Sequence, residues 1–164
     1  MEKVYNVLVL CTGNSARSIL GEVLFNQFGH GKFKAFSAGS NPTGQVNPVA
    51  IELLTEMGFS TSELRSKSWD EFSQSDSPNF DFVFTVCDNA AGEVCPVWPG
   101  HPVTAHWGIS DPAHVEPIDA KRQAFRKAYS QLARRIQLFM SLPLDKLDKL
   151  TLKHQLSEIG RIQD

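Results

Sequence analysis

Apolar residues along the chain alternate between short continuous runs and runs of helical spacing. Val7, Leu8, Val9 and Leu10 form one continuous run, the mark of a strand buried on both faces. Gly13, Asn14 and Ser15 bend the chain, after which Ile19, Leu20, Val23, Leu24 and Phe28 keep helical spacing. Residues 33–37 predict a second strand ending at Ser37-Ala38-Gly39. Pro48 opens a helix through Val49, Ile51, Leu53, Leu54 and Met57, stopped by Gly58. Residues 69–79, with Trp69, Phe72 and Pro78 among polar neighbours, read as a short helical turn and a loop. Residues 80–87, rich in Phe and Val, give the strongest strand signal, and residues 103–107 a further short strand. Phe125, Tyr129, Leu132, Ile136 and Phe139 mark a long amphipathic helix from 119 to near Pro143. A last helical pattern runs through 144–159 on Leu144, Leu147, Leu150, Leu152, Leu156 and Ile159, compatible with packing on the body or with a partner surface.

This alternation predicts an α/β fold, with a domain over residues 1–143 and a helical extension over 144–164. The 164 residues, 41% of them hydrophobic, suffice for one substantial core. No apolar run approaches the roughly 18 residues that span a membrane, and the N-terminus lacks a signal-peptide pattern, so a cytoplasmic protein without membrane attachment is expected. Three cysteines in a reducing compartment argue against a disulfide scaffold. The net charge of −2 is unevenly spread: residues 1–118 carry 6 basic and 13 acidic side chains, residues 119–164 carry 10 and 5. The basic charges of the C-terminal part are interleaved with acids and show no aromatic stacking pattern, which argues against nucleic acid.

The chemistry concentrates where the first strand gives way to the first helix. Loop amides and a first helical turn make a seat for an anion. Those amides and the guanidinium of Arg17 favour a thiolate at Cys11 and are expected to depress its pKa, making Cys11 a nucleophile beside a tetrahedral oxyanion that Arg17 bridges. Ser18 is placed to donate to the thiolate, and Asn14 suits a left-handed backbone.

Cys11-Thr12-Gly13-Asn14-Ser15-Ala16-Arg17-Ser18 resembles the phosphate-binding loop of the low-molecular-weight protein tyrosine phosphatases, and among their relatives most resembles the thiol-dependent arsenate reductases. The resemblance covers roughly residues 4–140 and implies a three-layer fold, a four-stranded parallel sheet with helices on both faces. It assigns oxyanion binding to residues 12–18, loop support to Ser37, and the protonation of a departing oxygen to Asp111 in Asp111-Pro112-Ala113. Read alone, Ser37 is also a strand-ending turn residue and Asp111-Pro112 also a turn device. The phosphatases typically place an aromatic residue after this proline and many carry a second cysteine at the position of Ala16; Ala113 and Ala16 here favour a small substrate without an aromatic arm.

If the strand of residues 80–87 runs beside the first, Cys87 approaches Cys11 at the carboxyl ends of the strands, where open α/β sheets place their sites. The resemblance then implies a relay. Cys11 attacks arsenate, Cys87 attacks the sulfur of the adduct and releases arsenite, and Cys95 resolves the bridge, leaving a Cys87–Cys95 disulfide for thioredoxin or a related dithiol. The thioredoxin-coupled relatives space these cysteines one residue closer, so glutaredoxin or glutathione stand as further reductants. Half-buried thiols, or zinc held by Cys87, Cys95, His101 and His106, are the alternative, but a seven-residue gap matches zinc ligands poorly. No metal or organic cofactor is expected. Several arsenate reductases support this loop with potassium through the equivalents of Asn14, Glu22 and Ser37; here Arg65 and Lys67 replace a threonine and an acid, so the ammonium of Lys67 is expected to pair with Glu22 and make potassium unnecessary, unless Lys67 is simply exposed. The competing functions are a phosphatase working through a Cys11 phosphocysteine and a phosphate sensor without turnover.

Overall fold

The computed structural model describes residues 3–87, 98 and 100–162. Four parallel strands, β1 (Tyr5–Leu10), β2 (Phe33–Ala38), β3 (Phe82–Thr85) and β4 (Val103–His106), form one sheet in the order β2-β1-β3-β4. Strands β1 and β3 are therefore neighbours, in the register Leu10 opposite Thr85. Among the described residues the α-helices are α1 (Arg17–Phe28), α2 (Pro48–Glu56), α3 (Ile118–Met140) and α4 (Lys149–Gly160).

Period-two alternation splits the strands between two cores. Val7, Val9, Phe82 and Phe84 face the helices and join Phe25, Leu132, Ile136 and Phe139, whereas Leu8, Leu10 and Val83 face a second cluster with Phe72, Phe80 and Trp98. That second face is covered by a 3₁₀ turn, Trp69–Phe72, and the loop after it. Phe84 and Trp107, with ring centroids 4.1 Å apart, anchor the helical side; truncating either to alanine costs about 4 kcal/mol.

The final pattern resolves into two elements rather than one helix. A short 3₁₀ turn, Leu144–Lys146, precedes α4, because the Asp148 side chain accepts from the amide of Thr151 and restarts the helix there. Leu152, Leu156 and Ile159 of α4 are buried in the same core as the sheet. Helix α4 lies along β4, where Lys153 donates to the backbone oxygen of Thr104 and Lys149 to that of His101. At the other edge, Asn26 pairs both backbone groups of Ala35, so β2 offers a blunted edge there. No helix among the described residues is long and apolar enough to cross a membrane.

Candidate active site

Helix α1 begins without a side-chain cap: Ala16 stands at its N-cap, whereas α2 and α4 are capped by Asn47 and Asp148. Leaving an N-terminus uncapped forgoes about 1 kcal/mol and leaves its amides available to a ligand. The loop before it is pulled into a cradle from outside. Its carbonyls at Thr12, Gly13 and Ser15 accept from the amides of Asn41, Thr43 and Asn47, so the peptide groups turn their N–H side inward. The cavity they face has a volume of about 500 Å³ and is lined by residues 11–17 together with Cys87, Asp111 and His114. Among the described lining residues there is no phenyl, phenol or indole ring.

Asn14 is the pivot beneath the loop. It takes φ +45°, the left-handed conformation asparagine tolerates, and is completely buried. Its Nδ2 donates to Ser18 Oγ at 2.8 Å and Ser37 Oγ at 3.0 Å, and its Oδ1 accepts from the Lys67 amide at 2.9 Å. Ser37 Oγ in turn donates to Glu22 Oε1 at 2.7 Å. The hydroxyl hydrogen of Ser18 is not consumed by its bond to Asn14. Gly39 closes this floor, since a Cβ there would fall on the carbonyl oxygens of Cys11 and Thr12. Lys67 is buried: its Nζ donates to the Arg65 carbonyl at 3.0 Å, reaches Ser37 Oγ at 3.5 Å and lies 3.6 Å from Glu22 Oε1. Burial pulls its ammonium below the ordinary lysine value, and Glu22 opposes that fall.

Cys11 and Cys87 are both buried, brought to the same end of the sheet by the β1–β3 pairing. The amide of Thr12 donates to Cys87 Sγ at 3.3 Å, so this one amide of the loop serves the second sulfur. The pairing changes the expected ionisation. A hydrogen bond with Cys87, then burial, pushes the Cys11 thiol up, against the pull of Arg17 and the Gly13 amide. The expected depression considered Arg17 and the loop amides alone and left out the second thiol, which raises the first.

Arg17 spans the cavity wall, donating to the Ile109 carbonyl at 2.9 Å and lying 3.5 Å from Asp111 Oδ2. Asp111 Oδ1 accepts from the Ala113 amide, and His114 Nε2 lies 3.4 Å from Oδ2. The sequence reading missed His114, Ser66, which donates to the Gly13 carbonyl, and the Ile109 carbonyl. His114 is three residues beyond Asp111 and was within reach of a motif reading; a backbone acceptor has no signal in the residue types. Cys95 lies outside the described residues. His106 bonds Thr85 Oγ1, and among the described residues no three His, Cys, Asp or Glu side chains gather as a metal site.

Comparison with known proteins agrees with this geometry. The chain is 36% identical over 134 residues to the arsenate reductase of Halalkalibacterium halodurans, covering 81% of this chain and 93% of the relative. The crystal structure of arsenate reductase from Archaeoglobus fulgidus superposes with a TM-score of 0.61 at 28% identity, over 80% of this chain and 98% of that one. The thioredoxin-dependent arsenate reductase of Corynebacterium glutamicum does so with a TM-score of 0.56 at 25% identity, over 83% and 63%. The family model for low molecular weight phosphotyrosine protein phosphatases matches residues 6–153, and the chain belongs to that family.

Proposed function

We propose that the protein is an arsenate reductase of arsenic detoxification in which Cys11 is the nucleophile. The oxyanion sits on the amides of residues 13–18, the Thr12 amide being turned to Cys87, with Arg17 across two of its oxygens. The Cys11 thiolate attacks arsenic and Asp111 protonates the oxygen that leaves as water, forming a sulfur–arsenic bond. The Cys87 thiolate then attacks Cys11 Sγ; a disulfide forms, the sulfur–arsenic electron pair passes to arsenic, and arsenite departs. Cys95 attacks Cys87 in turn, returning Cys11 as thiolate, and an external dithiol reduces the Cys87–Cys95 bond. The observation that carries this reading is Cys87 Sγ lying 3.3 Å from the Thr12 amide, against Cys11. Ester cleavage has no use for a second thiol there. The cavity without an aromatic wall supports a small inorganic substrate as well.

Thioredoxin is the first reductant to test, since the name of the Corynebacterium relative specifies it, with glutaredoxin and glutathione after it. Ser37, Glu22 and Lys67 act as the floor of the loop. With the Lys67 ammonium among Glu22, Ser37 and the Arg65 carbonyl, a potassium ion does not fit the space, and turnover is expected to be indifferent to potassium.

Single serine substitutions at Cys11, Cys87 and Cys95, assayed for arsenite release and phosphoester hydrolysis, test the assignment. Loss of arsenite release in all three, with phosphoester hydrolysis lost only in Cys11→Ser, is expected. Arsenite release that survives Cys87→Ser and Cys95→Ser would leave a phosphatase, and phosphate binding without either activity a sensor.

A further inference from the structure

The loop that carries Asp111 is held on its outer side by the C-terminal helix. Arg135 of α3 is 5% exposed, and its guanidinium donates to the carbonyls of Trp107 at 3.4 Å and Gly108 at 3.2 Å through one nitrogen and of Ile162, just past α4, at 3.0 Å through the other. Trp107, fully buried, donates its Nε1 hydrogen to the Leu156 carbonyl at 2.9 Å. Gly160 lies flush against the same segment: a Cβ there would lie 2.5 Å from the His106 carbonyl oxygen and 2.8 Å from Trp107 Cδ1. Helix α4 thus meets residues 106–107 directly at Leu156 and Gly160, and its end is tied to residues 107–108 through Arg135. On the inner side, Arg17 takes the next carbonyl, that of Ile109. Asp111 follows two residues later, and Leu156, Gly160 and Ile162 all lie beyond residue 153, where the family match stops.

We propose that Arg135 is a positioning residue for Asp111, and that the C-terminal helix of this chain works through it as a clamp on the acid loop. A planar guanidinium with donors on both sides fixes two carbonyls of the loop root against one of the helix end, a geometry lysine does not reproduce. Misplacement of the acid by a fraction of an ångström slows proton delivery without weakening oxyanion binding, which rests on the separate floor under residues 11–18. The inference rests on the assignment of Asp111 as the acid.

Arg135→Met and Gly160→Ala disturb the clamp from opposite sides, so an effect common to both does not depend on one variant's fold. Each is expected to raise hydrogen exchange of the amides of residues 109–111 and 113 while leaving those of 13–18 unchanged. Each should also lower kcat for arsenate and for p-nitrophenyl phosphate about tenfold, at unchanged KM and unchanged phosphate affinity. Placed on Asp111→Asn, the same substitutions should cost less than about twofold, because the group they position is gone. Equal losses with and without Asp111, a parallel loss of phosphate binding, or unaltered exchange at 109–113 overturns the clamp. If Asp111→Asn alone leaves kcat unchanged, the acid assignment falls, and the exchange measurement still decides whether the clamp holds the loop.

Discussion

The two loops that meet over the cavity are held in opposite ways. Residues 11–18 rest on side chains: Asn14, Ser18, Ser37, Glu22 and Lys67 interlock beneath them, and Asn14 and Lys67 are almost wholly buried. The loop of residues 107–111 is held through its carbonyls, which accept from Arg17 on one side and Arg135 on the other. A buried side-chain lattice fixes one geometry and is costly to disturb. Guanidiniums on backbone oxygens hold the second loop while leaving the Asp111 side chain about one-third exposed.

That contrast can be broken at graded cost. Cys11→Ser is expected to abolish arsenite release, by at least about 10⁴-fold, while phosphate still binds the intact cradle; isothermal titration with phosphate checks it, and lost binding would mean that the sulfur shapes the loop. Asp111→Asn should lower kcat about 100-fold with phosphate affinity nearly unchanged, separating chemistry from binding in steady-state kinetics; a loss confined to KM would make Asp111 a binding residue. Lys67→Met leaves the Glu22 carboxylate facing a vacated space and should cost about 2 kcal/mol in urea unfolding, partly recovered by adding Glu22→Gln; an unchanged midpoint would show the floor to be dispensable.

Cys87→Ala removes the strongest influence raising the Cys11 thiol. With that gone, the thiolate forms at lower pH, so the alkylation profile with iodoacetamide shifts to lower pH and the rate at pH 7 rises roughly three- to tenfold. A shift to higher pH would mean that Cys87 stabilises the thiolate. Smallest of all, Arg65→Ala breaks a bidentate but exposed pair with Glu71 and is expected to cost at most about 1 kcal/mol with activity intact, since Lys67 uses the carbonyl of Arg65 and not its side chain.

Much of the floor was legible before the structure because its parts announce themselves by residue type. Asparagine in a tight loop, a serine ending a strand and a lysine where an acid is expected each carry a chemical signal, and the Ser37 hydroxyl and the Lys67 amide both meet Asn14. The four strands were legible too, to within a few residues at each end, since branched and aromatic runs mark them. The interruption at Asp148 was not, because its leucine spacing continues across a cap. Nor was the upward push on the Cys11 thiol, which arises from a sulfur 76 positions away that only the β1–β3 pairing brings alongside.

By itself the sequence determined the alternation of strands and helices and marked the candidates for nucleophile, arginine and acid, because hydrophobic period and side-chain chemistry are local properties. Tertiary structure alone decided which sulfur raises the Cys11 thiol, which amide serves that second sulfur, and that the last helix packs against Trp107 and the His106 carbonyl. Those are contacts between distant segments, many made by backbone groups that every residue carries alike, and only the folded path of the chain chooses among them.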